Sequence, residues 1–239
     1  MTALVVQARI DSSRLHGKSL LPLNGRHLIF RVMEALGALS VGAKVLACPE
    51  DSVSAFSQLA VEAGFLLVVG PKEDVLARYC LAINRTGADR IIRATGDNPF
   101  VFVDAATAIN DEALELNADY AAYSDLPCGA GIESVSSEAL LRAEREAKDP
   151  AEREHVCPYI YNHPELFRIH KPPAPPVWRE PEIRITVDTH DDYEKAIALY
   201  RRVLSMSPEK RHCGENIIAA YKGLFAGNAP IDGSSGRSE

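Results

Sequence analysis

The sequence predicts an α/β protein whose mixed, mainly parallel sheet is flanked by helices. Short apolar runs alternate with segments whose apolar residues recur at helical spacing, in the order strand, helix, strand, helix, strand over residues 3–69. This alternation is typical of parallel strands joined by right-handed helical crossovers. Polar and basic loops follow several of the apolar runs. Because ligands of open α/β sheets collect at the carboxyl ends of the strands, we expect the functional residues there.

The elements of the first half follow from apolar periodicity and from turn residues. In chain order the predictions are a strand at 3–6, a polar and basic loop at 7–18, a helix at 27–38, a strand at 43–47, a helix at 54–63, a strand at 65–69, a helix at 75–84 and a strand at 88–95. Gly64 is expected to end the second helix, because glycine favours the left-handed conformation that often follows a helix.

The second half is predicted in the same way. The predictions are a helix at 104–117, a strand at 118–123, a glycine-rich turn into a short strand within 127–136, a helix at 137–147, an extended proline-rich surface segment at 171–181, a strand at 183–189, a helix at 191–204 and a helix near 215–225. The tail at 226–239 is rich in glycine and serine and is expected to be flexible. The sequence therefore predicts a single domain over 1–225.

Composition excludes several classes of protein. Of 239 residues, 46% are hydrophobic and 25% are charged, which is ordinary for a globular protein. A formal net charge of −7 argues against sequence-independent nucleic-acid binding. The five cysteines are odd in number and widely spaced, which indicates neither a disulfide framework nor a zinc site and fits a reducing compartment. With no leader pattern and no long apolar run, we expect a cytoplasmic protein that does not contact a membrane.

The loop from Gln7 to Lys18 is the most informative stretch. Its compact residues are Ser12, Ser13 and Gly17, and its cations are Arg9, Arg14 and Lys18. Compact residues let backbone N–H groups converge on an anion, and arginine and lysine neutralise phosphate charge. The loop lacks the glycine spacing of a P-loop or of a dinucleotide fingerprint. A phosphate-binding loop and a solvated basic loop both fit these residues.

Two aspartates are expected at the carboxyl edge of the sheet. Asp97 follows the strand at 88–95 within the turn Gly96–Pro99, and Asp188 lies at the end of the strand predicted at 183–189. Mg²⁺ prefers a few carboxylates together with substrate oxygens, so the pair predicts a magnesium site opposite the basic loop. Asp97 could instead cap its own turn, which is a common use of aspartate.

Three motifs in the chain resemble the sugar-activating cytidylyltransferases. They are A-R-x-x-S-x-R-L-x-G-K at 8–18, R-x-T-G-D-x-P at 93–99 and E-R-E-H-V-x-P-Y-I-Y at 152–161. The chain is most similar to the group of spore coat polysaccharide biosynthesis protein F, which is related to the CMP-sialic acid and CMP-Kdo synthetases. The resemblance spans about residues 3–200. The chain departs from the pattern at Asp11, where the family usually has glycine, and at His16 and His27, where it usually has proline.

The resemblance implies a Rossmann-like nucleotide-diphospho-sugar transferase fold, a homodimer and a reaction. In that reaction a cytidylyl group passes from CTP to a sugar or sugar-phosphate acceptor with release of pyrophosphate, with Mg²⁺ as cofactor, in surface polysaccharide or glycan biosynthesis. The implied catalytic residues are Arg14, Lys18, Asp97 and Asp188, and the two aspartates are also the implied metal ligands. The implied nucleotide-binding residues are Ala8, Arg9, Ser12, Ser13, Arg14, Lys18, Arg78, Arg93 and Thr95. Glu133 and His155 are the implied acceptor-binding residues.

Other roles and other functions fit some of these residues. Asp74 and Arg78 have the spacing of a helix N-cap and its i+4 ion-pair partner. Arg153 fits an ion-pair network, and His155 fits either an active site or a dimer interface. A glycosyltransferase of similar fold would need an acidic triad, and no D-x-D stands at a predicted strand end. A nucleotide-binding homologue without catalytic activity fits the replacements at Asp11 and His16.

Overall fold

The computed structural model describes residues 1–12 and 14–225, so the predicted flexible tail at 226–239 and Ser13 lie outside the described residues. The strands are β1 (Thr2–Gln7), β2 (Pro22–Leu23), β3 (Arg26–His27), β4 (Ala43–Pro49), β5 (Leu66–Gly70), β6 (Arg90–Thr95), β7 (Tyr120–Ala121), β8 (Glu133–Ser136) and β9 (Ile169–His170). The α-helices are α1 (Leu28–Leu36), α2 (Val53–Ala63), α3 (Val75–Thr86), α4 (Val103–Glu115), α5 (Ser137–Glu146), α6 (Pro150–His155), α7 (Pro158–Tyr161), α8 (His190–Leu204) and α9 (Gly214–Phe225).

Seven strands form one sheet in the order β5-β4-β1-β6-β8-β7-β9, and β2 and β3 form a separate hairpin. β1 is parallel to β4 and β6, β4 is parallel to β5, and β7 is parallel to β9. β8 runs antiparallel to β6 and β7. The predicted mixed, mainly parallel sheet flanked by helices is therefore confirmed.

Both faces of the sheet are buried. Leu4 and Val6 of β1 pack in the cluster that includes α1, α2, α4, α8 and α9, whereas Ala3 and Val5 pack in the cluster that includes α3, α5 and α7. All four side chains are fully buried. Successive strand residues point to opposite faces, so a strand covered on both sides is apolar throughout. The pairing of β1 with β4 and β6 sets its register and with it the point where the basic loop leaves the sheet.

The strand predicted at 183–189 is wrong. Only Arg184 makes an isolated bridge, to Cys128. The backbone N–H groups of Ile185 and Thr186 both donate to the Cys128 carbonyl, at 2.9 and 3.2 Å. Gly129 has φ +96°, and a β-carbon there would lie 2.6 Å from the Thr186 nitrogen, so the glycine turn packs against this segment too closely for a regular ladder. Ile183, Ile185, Thr186 and Val187 of this segment are buried, but the segment is not part of the sheet.

The fold brings three chain segments to one edge of the sheet. In the register of β1 and β6, Gln7 pairs with Thr95, so the loop after β1 and the turn after β6 leave side by side. The Val187 nitrogen donates to the Asp97 carbonyl at 2.9 Å, which joins the extended segment to the same turn. Within the described residues, none of the helices has the length and apolar character required to cross a membrane.

Candidate active site

Backbone hydrogen bonds hold the loop after β1 against its neighbours. Ala8 N–H donates to the Ala47 carbonyl at 3.1 Å, and Ile10 N–H donates to Ser52 Oγ at 3.2 Å. Gly17 then adopts φ +65°, a left-handed conformation that glycine accepts at little cost, and starts a short 3₁₀ turn at Lys18–Leu20. The chain reverses at this glycine, and the Lys18 side chain lies against the sheet edge.

Lys18 connects the loop to both predicted carboxylates. Its Nζ donates to Asp97 Oδ2 at 2.7 Å, to Asp188 Oδ1 at 2.8 Å and to the Val187 carbonyl at 3.1 Å. The Lys18 side chain is only 13% exposed. The structure thus places the basic loop opposite the two aspartates, and all three N–H donors of one ammonium hold them together.

Asp188 is held from several directions. Its Oδ2 accepts from Arg184 at 2.7 Å, and its Oδ1 lies 3.1 Å from an Arg14 nitrogen. Its backbone N–H donates to Asp192, which also makes a capping box with Thr189 at the start of α8. Burial disfavours the charged Asp188 carboxyl, but the hydrogen bond and charge of Lys18, the Arg184 hydrogen bond and the charge of Arg14 outweigh burial and hold its pKa below the usual value.

Arg184 and Asp192 were not singled out by sequence reasoning. The pattern Thr189-x-x-Asp192 resembles a capping box, which is a signal that could have drawn attention to Asp192. Arg184 carries no comparable signal, because its role depends on a side-chain pair within an irregular segment. Its guanidinium contacts both Asp188 and Asp192.

Arg78 lies at the other end of the cavity. Its side chain extends from α3 and the residue is only 2% exposed, while Nε and one terminal nitrogen have no hydrogen-bond partner among the described residues. Burial lowers the pKa of Arg78.

The predicted Asp74–Arg78 pair is wrong. Asp74 does cap α3 through Ala77 N–H at 3.0 Å, but its ion-pair partner is Arg153, with Nε at 2.8 Å. The ion-pair interpretation of Arg153 is therefore correct, with Asp74 as the acid.

Most of the predicted site residues line one cavity. Those that do are Ala8, Arg9, Ser12, Arg14, Lys18, Arg78, Thr95, Asp97, His155 and Asp188. The cavity is also lined by residues that sequence reasoning did not select, namely Gln7, Ser19, Val75, Gly96 and Glu154. Gln7 and Ser19 flank the first motif, and Gly96 and Glu154 lie within the other two, so proximity to the motifs in sequence was the available signal. Ser13 lies outside the described residues.

Arg93 and Glu133 do not line this cavity. They are paired across β6 and β8 and form an ion pair, and the Tyr120 hydroxyl donates to the other Glu133 oxygen at 2.8 Å. Their side chains are 15% and 19% exposed. The predicted nucleotide-binding role of Arg93 and the predicted acceptor-binding role of Glu133 therefore need these contacts to rearrange, and both roles stay predictions.

A strained turn follows His155. Val156 has φ +76° and ψ −58°, which is rare for a β-branched residue. Cys157 N–H donates to the His155 carbonyl at 2.9 Å and closes a three-residue turn between α6 and α7. Val156 is fully buried, so packing of its side chain holds the turn. The turn leaves His155 and Glu154 on the cavity wall, with Glu154 3.7 Å from Arg9.

The charge of Asp11 is countered locally. Lys72 Nζ lies 2.9 Å from Asp11 Oδ2 and 2.9 Å from Asp51 Oδ2. The three groups are on the surface, between the loop after β1 and the loops after β4 and β5. The replacement that departs from the family pattern therefore pairs with a lysine, and Asp11 is not among the residues that line the cavity.

Two oxygen donors are suitable for a divalent ion. Asp97 Oδ2 and Asp188 Oδ1 contact the same cationic nitrogen, so they face one point. Among the described residues, no group of three or more histidine, cysteine or acidic side chains is arranged to hold a metal. Two carboxylates with space for substrate oxygens match the preference of Mg²⁺. The donor set therefore fits the ion that the sequence predicts.

Solved structures with a similar architecture include a cytidylyltransferase and a CMP-sugar synthetase. A cytidylyltransferase from Leptospira borgpetersenii serovar Hardjo-bovis superposes with a TM-score of 0.82 over 99% of both chains, at 21% identity. The structure of CMP:2-keto-3-deoxy-manno-octonic acid synthetase in complex with CTP gives a TM-score of 0.64 over 84% of this chain and 98% of that chain, at 18% identity. At these identities the likeness establishes the fold, which is that of the nucleotidyltransferases.

Sequence comparison identifies the family. The cytidylyltransferase family model matches residues 3–217. Spore coat polysaccharide biosynthesis protein SpsF from Bacillus subtilis (strain 168) is 31% identical over 205 residues, which cover 83% of this chain and 85% of that protein. The chain belongs to the cytidylyltransferase family of enzymes, as the three motifs predicted.

Proposed function

We propose that this protein transfers a cytidylyl group from CTP to a sugar or sugar-phosphate acceptor and releases pyrophosphate, with Mg²⁺ as cofactor, in the synthesis of a surface polysaccharide or another glycan. The observation that carries the proposal is the contact of Lys18 with both Asp97 and Asp188 in a cavity lined by the basic loop. Family membership and the similarity to a spore coat polysaccharide biosynthesis protein support the nucleotide and the pathway class.

The residues have distinct tasks in this reaction. The acceptor oxygen attacks the α-phosphorus in line with the leaving pyrophosphate, so charge develops on the phosphates and little covalent protein chemistry is needed. Arg14 and Lys18 stabilise that charge, and the backbone of the loop after β1 orients the triphosphate. Mg²⁺ held by Asp97 and Asp188 would neutralise phosphate oxygens as a Lewis acid.

Arg78 and His155 are our candidates for binding the nucleoside and the acceptor. Arg78 is our candidate to donate hydrogen bonds to the nucleoside, and its position in the cavity lining and its two unpartnered nitrogens among the described residues support this role. His155 also lines the cavity and is our candidate for acceptor binding. If the acceptor is a sugar phosphate, its own oxygen attacks and no general base is required. If the acceptor is the hydroxyl of a keto-acid sugar, a base is needed, and His155 is our candidate. The homodimer and the cytoplasmic location stay predictions.

A pyrophosphate-release assay tests the proposal. Purified protein is incubated with each of the four nucleoside triphosphates, Mg²⁺ and a panel of sugar phosphates and keto-acid sugars, and the product is identified by mass spectrometry. We expect release with CTP and at least one acceptor, and none with Asp97→Ala. Binding of CTP without turnover on any acceptor would favour a non-catalytic homologue. Release of a nucleotide from a nucleotide sugar would favour a glycosyltransferase.

A further inference from the structure

The Lys18 ammonium is fully engaged by the two aspartates that would hold a metal and by one backbone carbonyl. A lysine ammonium has three N–H donors. In Lys18 these three meet Asp97 Oδ2, Asp188 Oδ1 and the Val187 carbonyl, at 2.7, 2.8 and 3.1 Å. The same nitrogen therefore has no donor left for a phosphate while these contacts exist.

The contacts of Lys18 also compete with a divalent ion. A cation bound by Asp97 Oδ2 and Asp188 Oδ1 uses the two oxygens that now accept from Lys18. Asp188 cannot offer its other oxygen freely, because Arg184 donates to Oδ2 at 2.7 Å. Two cations at contact distance repel each other strongly in a site screened from water. The ammonium and the metal ion therefore compete for these two oxygens.

We propose that Lys18 is an exchangeable internal counter-ion. In the ligand-free protein it holds the two carboxylates together. A divalent ion replaces the ammonium at the carboxylates, and the released ammonium moves to the phosphates of the nucleotide. The identity of that anion as a nucleoside triphosphate rests on the proposed function, whereas the exchange at the carboxylates rests on the contacts alone.

The local structure allows this movement without a change of fold. The backbone of Lys18 is fixed by the 3₁₀ turn that begins after Gly17, and the Leu20 nitrogen donates to the Gly17 carbonyl at 2.8 Å. The lysine side chain has four flexible carbons, so its ammonium can reach different acceptors from one backbone position. Metal and triphosphate should then promote each other's binding, because each stabilises the position of Lys18 that the other requires.

Metal binding without nucleotide tests the exchange. Mn²⁺ titrations of the full-length protein, followed by electron paramagnetic resonance, compare wild type with Lys18→Met. We expect Lys18→Met to bind Mn²⁺ at least about tenfold more tightly, because the ion no longer displaces an ammonium. The matched control is Lys44→Met, which removes the same charge from a lysine that donates to the Gly37 carbonyl, and which should bind like wild type. Equal affinity in wild type and Lys18→Met would overturn the proposal.

A second variant and a second measurement keep the test decisive. If circular dichroism shows that Lys18→Met is unfolded, Lys18→Gln takes its place, because it also removes the charge while keeping a polar end. The second measurement is calorimetric binding of the non-hydrolysable α,β-methylene analogue of CTP with and without Mg²⁺. Mg²⁺ should strengthen analogue binding by a larger factor in wild type than in Lys18→Met, and equal factors would contradict the coupling. Tighter Mn²⁺ binding with no pyrophosphate release from any acceptor would refute the proposed function and leave the exchange standing.

Discussion

The two ends of the cavity differ in how their charges are satisfied. At one end, Lys18 contacts Asp97 and Asp188, and Asp188 also contacts Arg14 and Arg184. At the other end, the buried Arg78 guanidinium has two nitrogens without a partner in the part of the chain that the structure describes. A ligand at the first end must exchange with existing contacts, whereas a ligand at the second end adds contacts. The first end is suited to moving charge during a reaction, and the second to holding a substrate.

The largest expected effect is at the paired end. Asp97→Ala and Asp188→Ala should each lower kcat/KM about 100-fold or more. Each substitution removes a carboxylate that is proposed to hold Mg²⁺ next to the phosphates. Pyrophosphate release measures activity, and circular dichroism checks the fold. Asp111→Ala, an exposed aspartate on α4, is the control and should keep full activity. Full activity in either Asp97→Ala or Asp188→Ala would remove that residue from the reacting site.

At the Arg78 end, a substitution should weaken nucleotide binding but should not lower the stability of the protein. Arg78→Met should raise the KM for CTP about tenfold, because hydrogen bonds from a charged group to the nucleotide are lost. The free energy of unfolding should stay the same or rise, because burying a guanidinium with unsatisfied nitrogens is unfavourable. Urea unfolding and CTP titration measure the two quantities. Arg85→Met, at the exposed end of the same helix, is the control.

A loss of stability in Arg78→Met with an unchanged KM would contradict this assignment. It would indicate that Arg78 is a structural residue and that its end of the cavity does not bind the nucleotide.

The sequence predicted the segments that form the cavity better than the contacts within it. The strand before Asp97 was predicted from the sequence at 88–95, and the structure covers its apolar residues on both faces. The strand before Asp188 was predicted from alternating apolar residues at 183–189. Such alternation indicates burial but not the hydrogen bonds of a sheet. Here the backbone N–H groups of residues 185–187 donate to the carbonyls of Cys128 and Asp97. A buried extended segment and a strand share the same pattern.

Side-chain pairs that depend on the tertiary structure explain the remaining differences. The i+4 spacing predicted Arg78 as the partner of Asp74, but Arg153, which is 79 residues away in sequence, occupies that carboxylate. The pairing of Arg93 with Glu133 depends on the antiparallel register of β6 and β8, and the pairing of Arg184 with Asp188 depends on an irregular segment. Arg184 and Asp188 are only four residues apart, but in the strand predicted there they would lie too far apart to pair. The other two pairs depend on the topology of the fold and do not follow from local spacing.

Acidification tests the paired end by another route. The pKa of Asp188 is lower in the folded protein than its usual value of 3.8, so the unfolded chain takes up a proton first as the pH falls. The stability that the charged carboxyl contributes is therefore fully present above about pH 5 and is lost as the pH falls below 3.8. The difference in unfolding free energy between wild type and Asp188→Asn should be constant from pH 5 to 8 and should shrink below pH 4, by about the amount that one shifted carboxyl contributes. Asp111→Asn should show no such change, and a constant difference down to pH 2 would contradict the prediction.

The smallest expected effect is at the surface cluster of Asp11, Lys72 and Asp51. All three groups are exposed, so water and salt screen their attraction. Lys72→Met should therefore change the KM for CTP by less than about threefold, and the change should vanish at high salt. Titrations at low and high ionic strength measure it, with Lys222→Met as the control on a distant surface pair. A tenfold change in KM that persists at high salt would contradict this prediction. It would indicate that Lys72 contacts the nucleotide directly and that the surface cluster is part of the nucleotide site.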